Sequence, residues 1–122
     1  MKNDEPWKPP ILYHGSTSRD IDIFLPSRNS FRDPQEGPVV FATQRKDLAL
    51  CFCMPFDDSW MSVGIAADNV CEILIADRKK FKKLDKGGAV YTLPSDTFYC
   101  DPNKGMGRFE WVSRDPVKPI TK

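Results

Sequence analysis

Short apolar runs, separated by glycine, proline and charged residues, constrain the fold of this chain more than any other feature. The runs at 39–42, 70–75 and 89–93 are rich in β-branched and aromatic residues, which is typical of β-strands. The segment 43–55 has the spacing of a short helix, and the segment 77–83 indicates a solvated helical turn or an edge. The full set of predicted strands is 11–13, 39–42, 60–66, 70–75, 89–93 and 108–113. Many short strands with one or two short helices predict an α+β fold.

The length of the chain, 122 residues, is typical of a single domain. Residues 1–10 contain three prolines and four charged residues, and we expect them to form a loose lead-in to a domain at 11–120. The segment 16–38 is rich in polar residues, glycine and proline, which predicts a long ordered loop or a short irregular helix, and loops of this length are usually binding loops. Thr43 is the predicted N-cap of the first helix, and Pro55 is expected to end it.

The balance of charge and hydropathy argues against several classes of protein. Eighteen basic and seventeen acidic residues leave a formal net charge of +1, whereas a dedicated nucleic-acid-binding protein normally has a clear basic excess. No apolar run approaches the ~18–20 residues that span a bilayer, and the N-terminus lacks the apolar stretch of a secretory signal. The sequence therefore predicts a cytoplasmic location and no membrane partner. The five basic residues of segment 77–83 predict a solvated surface, with phosphate contact as the alternative.

The four cysteines, Cys51, Cys53, Cys71 and Cys100, predict buried apolar positions in a reducing compartment. A zinc site normally needs paired C-x-x-C motifs or several histidines, and this chain has one histidine. We therefore expect no metal. Nothing in the local sequence marks a cysteine as an activated nucleophile.

Two polar side chains stand out as candidates for chemistry. His14 follows the first predicted strand, where Gly15 would let a ligand approach the main chain and Ser16 adds a hydroxyl. The alternative is a structural or surface histidine. Glu110 lies within the last predicted strand beside Trp111. It faces solvent, or it lies at a cleft where partial desolvation strengthens its field on a developing cation.

Three segments, taken in order, resemble signatures of the diphtheria-toxin and poly-ADP-ribose polymerase branch of the ADP-ribosyltransferases. The run LYHGS at 12–16 resembles the first-strand signature. The runs VFAT at 40–43 and LALCF at 48–52 resemble the second, in which a strand bearing an aromatic residue leads into a helix bearing another. The run FEWVS at 109–113, with Val117 and Pro119 beyond it, resembles the closing strand that holds the catalytic glutamate. The resemblance covers most of the chain and implies a single-domain, split β-sheet (β-sandwich-like) fold with few short helices.

The resemblance implies an NAD-dependent mono-ADP-ribosyltransferase, with NAD as its substrate and an unidentified acceptor. Glu110 would bind the 2′-hydroxyl of the nicotinamide ribose and stabilise the oxocarbenium-like transition state. His14 would bind a ribose hydroxyl and is the second implied catalytic residue. The other implied NAD-binding residues are Gly15 and Ser16 at the carboxamide, Phe41 near the ribose and ring, Phe52 stacked on the nicotinamide, and Thr43.

Three alternatives remain open. That branch usually has tyrosine where this chain has Phe41 and Phe52, which favours a catalytically weak or inactive nucleotide-binding or protein-interaction module. An RNA 2′-phosphotransferase-like enzyme would need basic residues in its cleft, and a small interaction protein would need an exposed aromatic patch. The basic residues available to a phosphotransferase cleft are Arg19, Arg28, Arg32 and Arg45. The aromatic residues available to an interaction patch are Trp7, Phe56 and Trp60.

Overall fold

A computed structural model describes residues 8–27, 32–54 and 59–121, and this part of the chain has an α+β architecture. The strands are β1 (Ile11–Ser16), β2 (Val40–Ala42), β3 (Met61–Ile65), β4 (Cys71–Ile75), β5 (Ala89–Pro94) and β6 (Trp111–Ser113). The helices are α1 (Lys46–Cys51), α2 (Arg78–Leu84) and a 3-10 turn at Gly107–Phe109. Within the described ranges the strands form antiparallel pairs, β1 with β5, β2 with β6 and β3 with β4.

Backbone bridges bring the first two strand pairs together. Tyr13 in β1 and Thr43 after β2 exchange two backbone hydrogen bonds of 2.7 and 2.9 Å. Tyr99 and Val112 exchange two more, each of 2.9 Å, which adds the segment after β5 to the outside of β6. As a result, the middle of β1 lies beside the C-terminal end of β2, and α1 packs against both β1 and β5.

The core lies where these strands meet, because each contributes its apolar face. Leu12 and Leu93 are opposite each other in the register of β1 and β5, and both are fully buried. Trp111 at the start of β6 is also fully buried, and its indole N–H donates a 3.1 Å hydrogen bond to Gln44. The core cluster comprises Leu12, Phe24, Val40, Ala42, Tyr91, Leu93, Phe98, Cys100, Trp111 and Val117.

The first strand is longer than predicted. The sequence predicts a turn at residues 14–16, but His14, Gly15 and Ser16 continue β1 and pair with Tyr91, Val90 and Ala89. The physical reason is the length of β5, whose six residues offer hydrogen-bonding partners along the whole of β1. The glycine that suggested a turn is required instead for close packing against α1.

The last strand is shorter than predicted, and Glu110 lies outside it. Gly105 and Gly107 both have positive φ, of 53° and 65°, and they lead into a 3-10 turn that ends at Phe109. Glu110 therefore lies between this turn and β6, which begins at Trp111. The prediction of a continuous strand at 108–113 was wrong because the 3-10 turn that begins at Gly107 includes Arg108 and Phe109, so only residues 111–113 form the strand.

Thr43 does not cap α1, contrary to the prediction. Its backbone is engaged in the bridge to Tyr13, so the helix begins only at Lys46. The Thr43 hydroxyl instead accepts a 3.1 Å hydrogen bond from the backbone N–H of Arg45, the N-cap residue, whose own side chain makes no cap. Pro55, predicted to end the helix, lies outside the described residues.

Residues 8–10 lie against the turn after β5, where Ser95 donates hydrogen bonds to the carbonyls of Pro9 and Pro10. Trp60 is buried, with 8% of its surface exposed, so it does not form an exposed patch. Trp7, Phe56 and Arg28 lie outside the described ranges. None of the helices in those ranges has the length and apolar character required to cross a bilayer.

Candidate functional site

A cavity of about 520 Å³ opens where the ends of β1 and β2, the helix α1 and the loop before β6 come together. Its volume is in the range of sites that hold small organic ligands. Its wall is largely apolar and aromatic, with one imidazole and one carboxylate. The lining residues are Tyr13, His14, Gly15, Phe41, Ala42, Thr43, Leu48, Ala49, Phe52, Met106, Phe109 and Glu110.

This cavity brings together most of the site residues predicted from sequence. Six of the seven line it, although they come from three segments that are far apart in the chain: His14, Gly15, Phe41, Thr43, Phe52 and Glu110. Ser16 does not line it. Its hydroxyl instead accepts a 3.0 Å hydrogen bond from the backbone N–H of Ser18.

His14 is held in one tautomer by the neighbouring strand. Its Nδ1 lies 2.6 Å from the carbonyl oxygen of Phe41, and a carbonyl can only accept, so Nδ1 carries the hydrogen. In the neutral ring, Nε2 then has a lone pair that can accept a hydrogen bond from a ligand hydroxyl. Burial lowers the pKa of His14, and the hydrogen bond to Phe41 opposes this only in part. The ring of Phe24, with its centroid 4.5 Å from that of His14, contributes to this burial.

The lowered pKa of His14 makes stability depend on pH. The unfolded chain binds a proton at this side chain near pH 6.5, whereas the folded chain does so only at lower pH. The free energy of unfolding should therefore fall as the pH drops through 6.5, and level off once the folded protein also binds the proton. Urea unfolding of the wild type and of His14→Gln between pH 8 and 5 measures this. A wild-type decrease no steeper than that of the variant would contradict it.

Gly15 allows α1 to form one wall of the cavity. A Cβ at this position would lie 1.8 Å from the carbonyl oxygen of Ala49 and 2.8 Å from its carbonyl carbon. Because these are backbone atoms, they could not move aside without moving the helix. The strand and helix can approach this closely only with glycine at position 15.

We expect Gly15→Ala to destabilise the fold by about 1–3 kcal/mol and to distort the cavity, because it overpacks the contact between β1 and α1. Gly64→Ala is the matched control. Gly64 also lies in a strand, but a Cβ there would meet no atom within 4 Å. Chemical unfolding measures both variants. Equal effects of the two substitutions would show that close packing at Gly15 is not the cause.

Glu110 is held at the cavity by an arginine from the long loop. Its Oε2 accepts a 3.0 Å hydrogen bond from Arg32 Nη1 and a longer one, of 3.4 Å, from the backbone N–H of Met106. Among the described residues no hydrogen bond to Oε1 is seen, so this oxygen can accept one from a ligand. Gly105 leaves room for the carboxylate, since a Cβ there would lie 1.7 Å from Oε2.

Arg32 is itself fixed by a second carboxylate. Glu36 accepts two hydrogen bonds from the guanidinium, of 2.9 and 3.2 Å, and the Tyr99 hydroxyl donates a third to the same carboxylate. The side chains of Arg32 and Glu36 are only 5% and 2% exposed. A continuous network, called here the Arg32 network, therefore links Glu36, Arg32 and Glu110, together with Tyr99.

Hydrogen bonds and charges within the Arg32 network shift the pKa values of Arg32, Glu36 and Tyr99. Burial alone would lower the pKa of Arg32, but its hydrogen bonds to Glu36 and Glu110 outweigh burial and raise it. The Arg32 hydrogen bonds lower the pKa of Glu36 despite burial, and the Tyr99 hydroxyl adds to this lowering. Burial, together with the Glu36 carboxylate, raises the pKa of Tyr99. At neutral pH the network thus contains one cation between two carboxylates, with Glu110 at its cavity end.

Sequence reasoning missed the network as a unit. It considered Arg32 only as a possible phosphate-binding residue and did not identify Glu36 or Tyr99. The spacing of four between Arg32 and Glu36 is a signal for local pairing. Nothing in the sequence connects Arg32 to Glu110, 78 residues further along the chain.

The other predicted basic residues that the structure describes do not line the cavity. Arg45 pairs with Asp47 at 2.7 Å and donates to Asn69, and Arg19 donates to the carbonyl of Lys86. Of the described residues that line the cavity, none is an arginine or a lysine. This lining does not supply the several cations that a 2′-phosphotransferase cleft would need.

The cysteines do not offer an activated nucleophile at this site. Cys51 and Cys100 are buried, and none of the four lines the cavity. Burial, with the neighbouring Cys71 thiol 3.7 Å away, raises the pKa of Cys51 to about 12, so it is a thiol at neutral pH. The described residues also contain no group of three His, Cys, Asp or Glu side chains suited to a metal ion.

Comparison with known proteins gives no relative of this chain. No family model, no curated protein and no solved structure matches it. The interpretation of the cavity therefore depends on its own residues.

Proposed function

We propose that this protein has an ADP-ribosyltransferase-type fold, binds NAD in the cavity between His14 and Glu110, and cleaves its nicotinamide–ribose bond to transfer ADP-ribose to an acceptor. The observation that carries the proposal is the common cavity of residues from three segments chosen on sequence alone. His14 and Gly15 come from the first segment, Phe41 and Phe52 from the second, and Glu110 from the third.

The chemistry of the lining suits a nicotinamide riboside. A flat heterocycle can pack against the aromatic side chains of Phe41 and Phe52, and the removal of water from these apolar surfaces favours binding. His14 Nε2 and Glu110 Oε1 can accept hydrogen bonds from ribose hydroxyls, because the existing hydrogen bonds of these side chains are made by Nδ1 and Oε2. The apolar surroundings strengthen the electrostatic effect of Glu110.

In the proposed reaction, the bond between C1′ of the ribose and the pyridinium nitrogen breaks. Its electron pair goes to that nitrogen, so nicotinamide leaves as a neutral molecule and positive charge develops on the ribose ring. Glu110, hydrogen-bonded to the 2′-hydroxyl, stabilises this charge more strongly in the transition state than in bound NAD. The acceptor nucleophile then forms a bond to C1′ and loses a proton to solvent.

A second candidate is a module that binds the nucleotide without turnover. Phe41 and Phe52 favour it, because phenylalanine retains a stacking face but lacks the hydroxyl of the tyrosines usual in the resembling branch. The ion pair between Arg32 and Glu110 is consistent with it too, since the guanidinium reduces the field of the carboxylate.

Incubation of the purified protein with NAD, with nicotinamide release and melting temperature as readouts, tests the proposal. Release together with stabilisation by NAD is the expected result. Stabilisation without release would favour the binding module over the enzyme. Neither release nor stabilisation at millimolar NAD would overturn the assignment of NAD to this cavity, because a ligand of the folded state must raise its stability.

A further inference from the structure

The helix α2 presents a concentration of positive charge that the proposed function does not use. Its sequence, RKKFKKL, contains five basic residues in seven positions, whereas the whole chain has a net charge of +1. None of its side chains is buried. Packing against the rest of the protein therefore contributes little to this helix.

The cations of α2 form one continuous surface. Successive residues in a helix are about 100° apart, so Arg78, Lys82, Lys79 and Lys83 cover an arc of about 140°. The opposite side faces the protein: there the Lys80 ammonium lies 5.6 Å from the ring centroid of Trp60, a buried residue, and Phe81 is half-buried. The four cations of the arc, called here the α2 basic surface, point away from the protein.

The charges of α2 do not all stabilise the helix. The Asp77 N-cap and the basic last turn suit the helix dipole, but Arg78 and Lys79 place positive charge in the first turn, where the dipole favours carboxylates. The pairs Arg78–Lys82 and Lys79–Lys83 place like charges four residues apart, which is also unfavourable. Within the described residues, none of these four cations forms a salt bridge. Their charge is thus available to an external anion.

We propose that the α2 basic surface binds the phosphate backbone of a nucleic acid. The inference goes beyond the proposed function and does not rest on it. Cations at positions i and i+4 are about 6 Å apart along the helix axis, so the surface presents two parallel rows that a chain of phosphates can follow. A nucleic acid also has a charge density high enough to condense counterions, and their release on binding supplies a favourable entropy.

Charge and side-chain orientation favour a nucleic acid over an anionic membrane. A helix that binds a membrane surface inserts an apolar face, with cations beside it. In α2 the two apolar residues, Phe81, which is half-buried, and Leu84, which is 44% exposed, lie on the opposite side of the helix from the four cations. A bilayer facing the cations would thus meet no apolar side chain of this helix.

Fluorescence anisotropy with a labelled single-stranded 20-mer DNA, using the full chain, tests the inference. For about four phosphate contacts, the logarithm of the association constant should fall with the logarithm of the salt concentration with a slope of about −2.8, or about 50-fold between 50 and 200 mM salt. Lys79→Glu with Lys83→Glu should weaken binding at least ~10-fold and reduce this slope by about half.

The matched control is Lys46→Glu with Lys118→Glu, which makes the same change in net charge at exposed lysines away from α2. Far-UV circular dichroism checks that every variant is folded. No binding by the wild type at 50 mM salt would overturn the inference, as would equal losses in the two double variants. Tighter binding to phosphatidylserine vesicles or to polyglutamate than to the oligonucleotide would also overturn it. The melting temperature with and without NAD is measured in parallel, so that a failure of the NAD proposal can be distinguished from a failure of this inference.

Discussion

Replacing Arg32 by methionine is expected to lower the free energy of unfolding by about 3–5 kcal/mol, a large part of the total for a chain of this size. Arg32 is the cation between two carboxylates, and its side chain is 5% exposed. Methionine retains an unbranched apolar chain but leaves Glu36, which is 2% exposed, without its charged partner. The cost arises mainly from a buried carboxylate that is no longer compensated.

Urea unfolding measures this effect, and two comparisons test its cause. Lys104→Met removes a more exposed ion pair, 2.7 Å from Lys104 to Asp33, whose side chains are 35% and 25% exposed, and the unfolding midpoint of this variant should hardly change. Adding Glu36→Gln to Arg32→Met should recover part of the lost stability, because the unpaired charge is then removed. If the double variant is no more stable than Arg32→Met, lost packing rather than unpaired charge is responsible.

The difference in the free energy of unfolding between the wild type and Arg32→Met should depend on pH. Arg32 lowers the pKa of Glu36 in the folded state, so the pair contributes stability above the unfolded pKa of ~4.3, and this contribution is lost as the pH falls through the folded pKa. The wild type and Arg32→Met should thus differ most near neutral pH and converge as the pH falls below ~4.3 and through the lowered pKa of Glu36. A difference that stays constant down to pH 3 would contradict the role assigned to the ion pair.

Local sequence patterns predicted the elements of this fold but not where they begin and end. Residues 39–42 and 70–75 are β-branched runs, and both contain strands because their side chains suit a pleated, half-buried surface. The errors at His14 and Thr43 share one cause: each has a backbone partner far along the chain, β5 for the former and the bridge to Tyr13, in β1, for the latter. Such partners override local turn and cap signals.

The candidate site could be predicted from sequence as a set of residues but not as a geometry. Motif resemblance singled out His14, Phe41 and Glu110, which line one cavity. The Nδ1–H tautomer of His14 depends on the Phe41 carbonyl, a backbone atom of another strand. The support for Glu110 comes from Arg32, on a loop whose sequence has no regular pattern. These contacts depend on tertiary structure, so no window of the sequence contains them.

Replacing Glu110 by glutamine should reduce the rate of nicotinamide release by about 10²–10³-fold, if the cavity cleaves NAD as proposed. The amide is nearly isosteric and its oxygen can still accept the hydrogen bonds from Arg32 and Met106, so the fold and the cavity should persist. The negative charge that stabilises the developing cation on the ribose is lost, and the position of Oε1 becomes an NH2 group, which can donate to the 2′-hydroxyl but not accept from it. Because this interaction is made mainly in the transition state, kcat and kcat/KM should fall together while NAD still raises the melting temperature.

Glu72→Gln is the matched control, since Glu72 is an exposed carboxylate on β4 and does not line the cavity. It should release nicotinamide at the wild-type rate. A Glu110→Gln variant that retains the wild-type rate would exclude a catalytic role for this carboxylate. A variant with unchanged kcat and a raised KM would instead indicate that Glu110 binds NAD equally in the ground and transition states. In that case the charge on Glu110 would contribute to affinity alone, and the stabilisation of the cation would have to come from another group in the cavity.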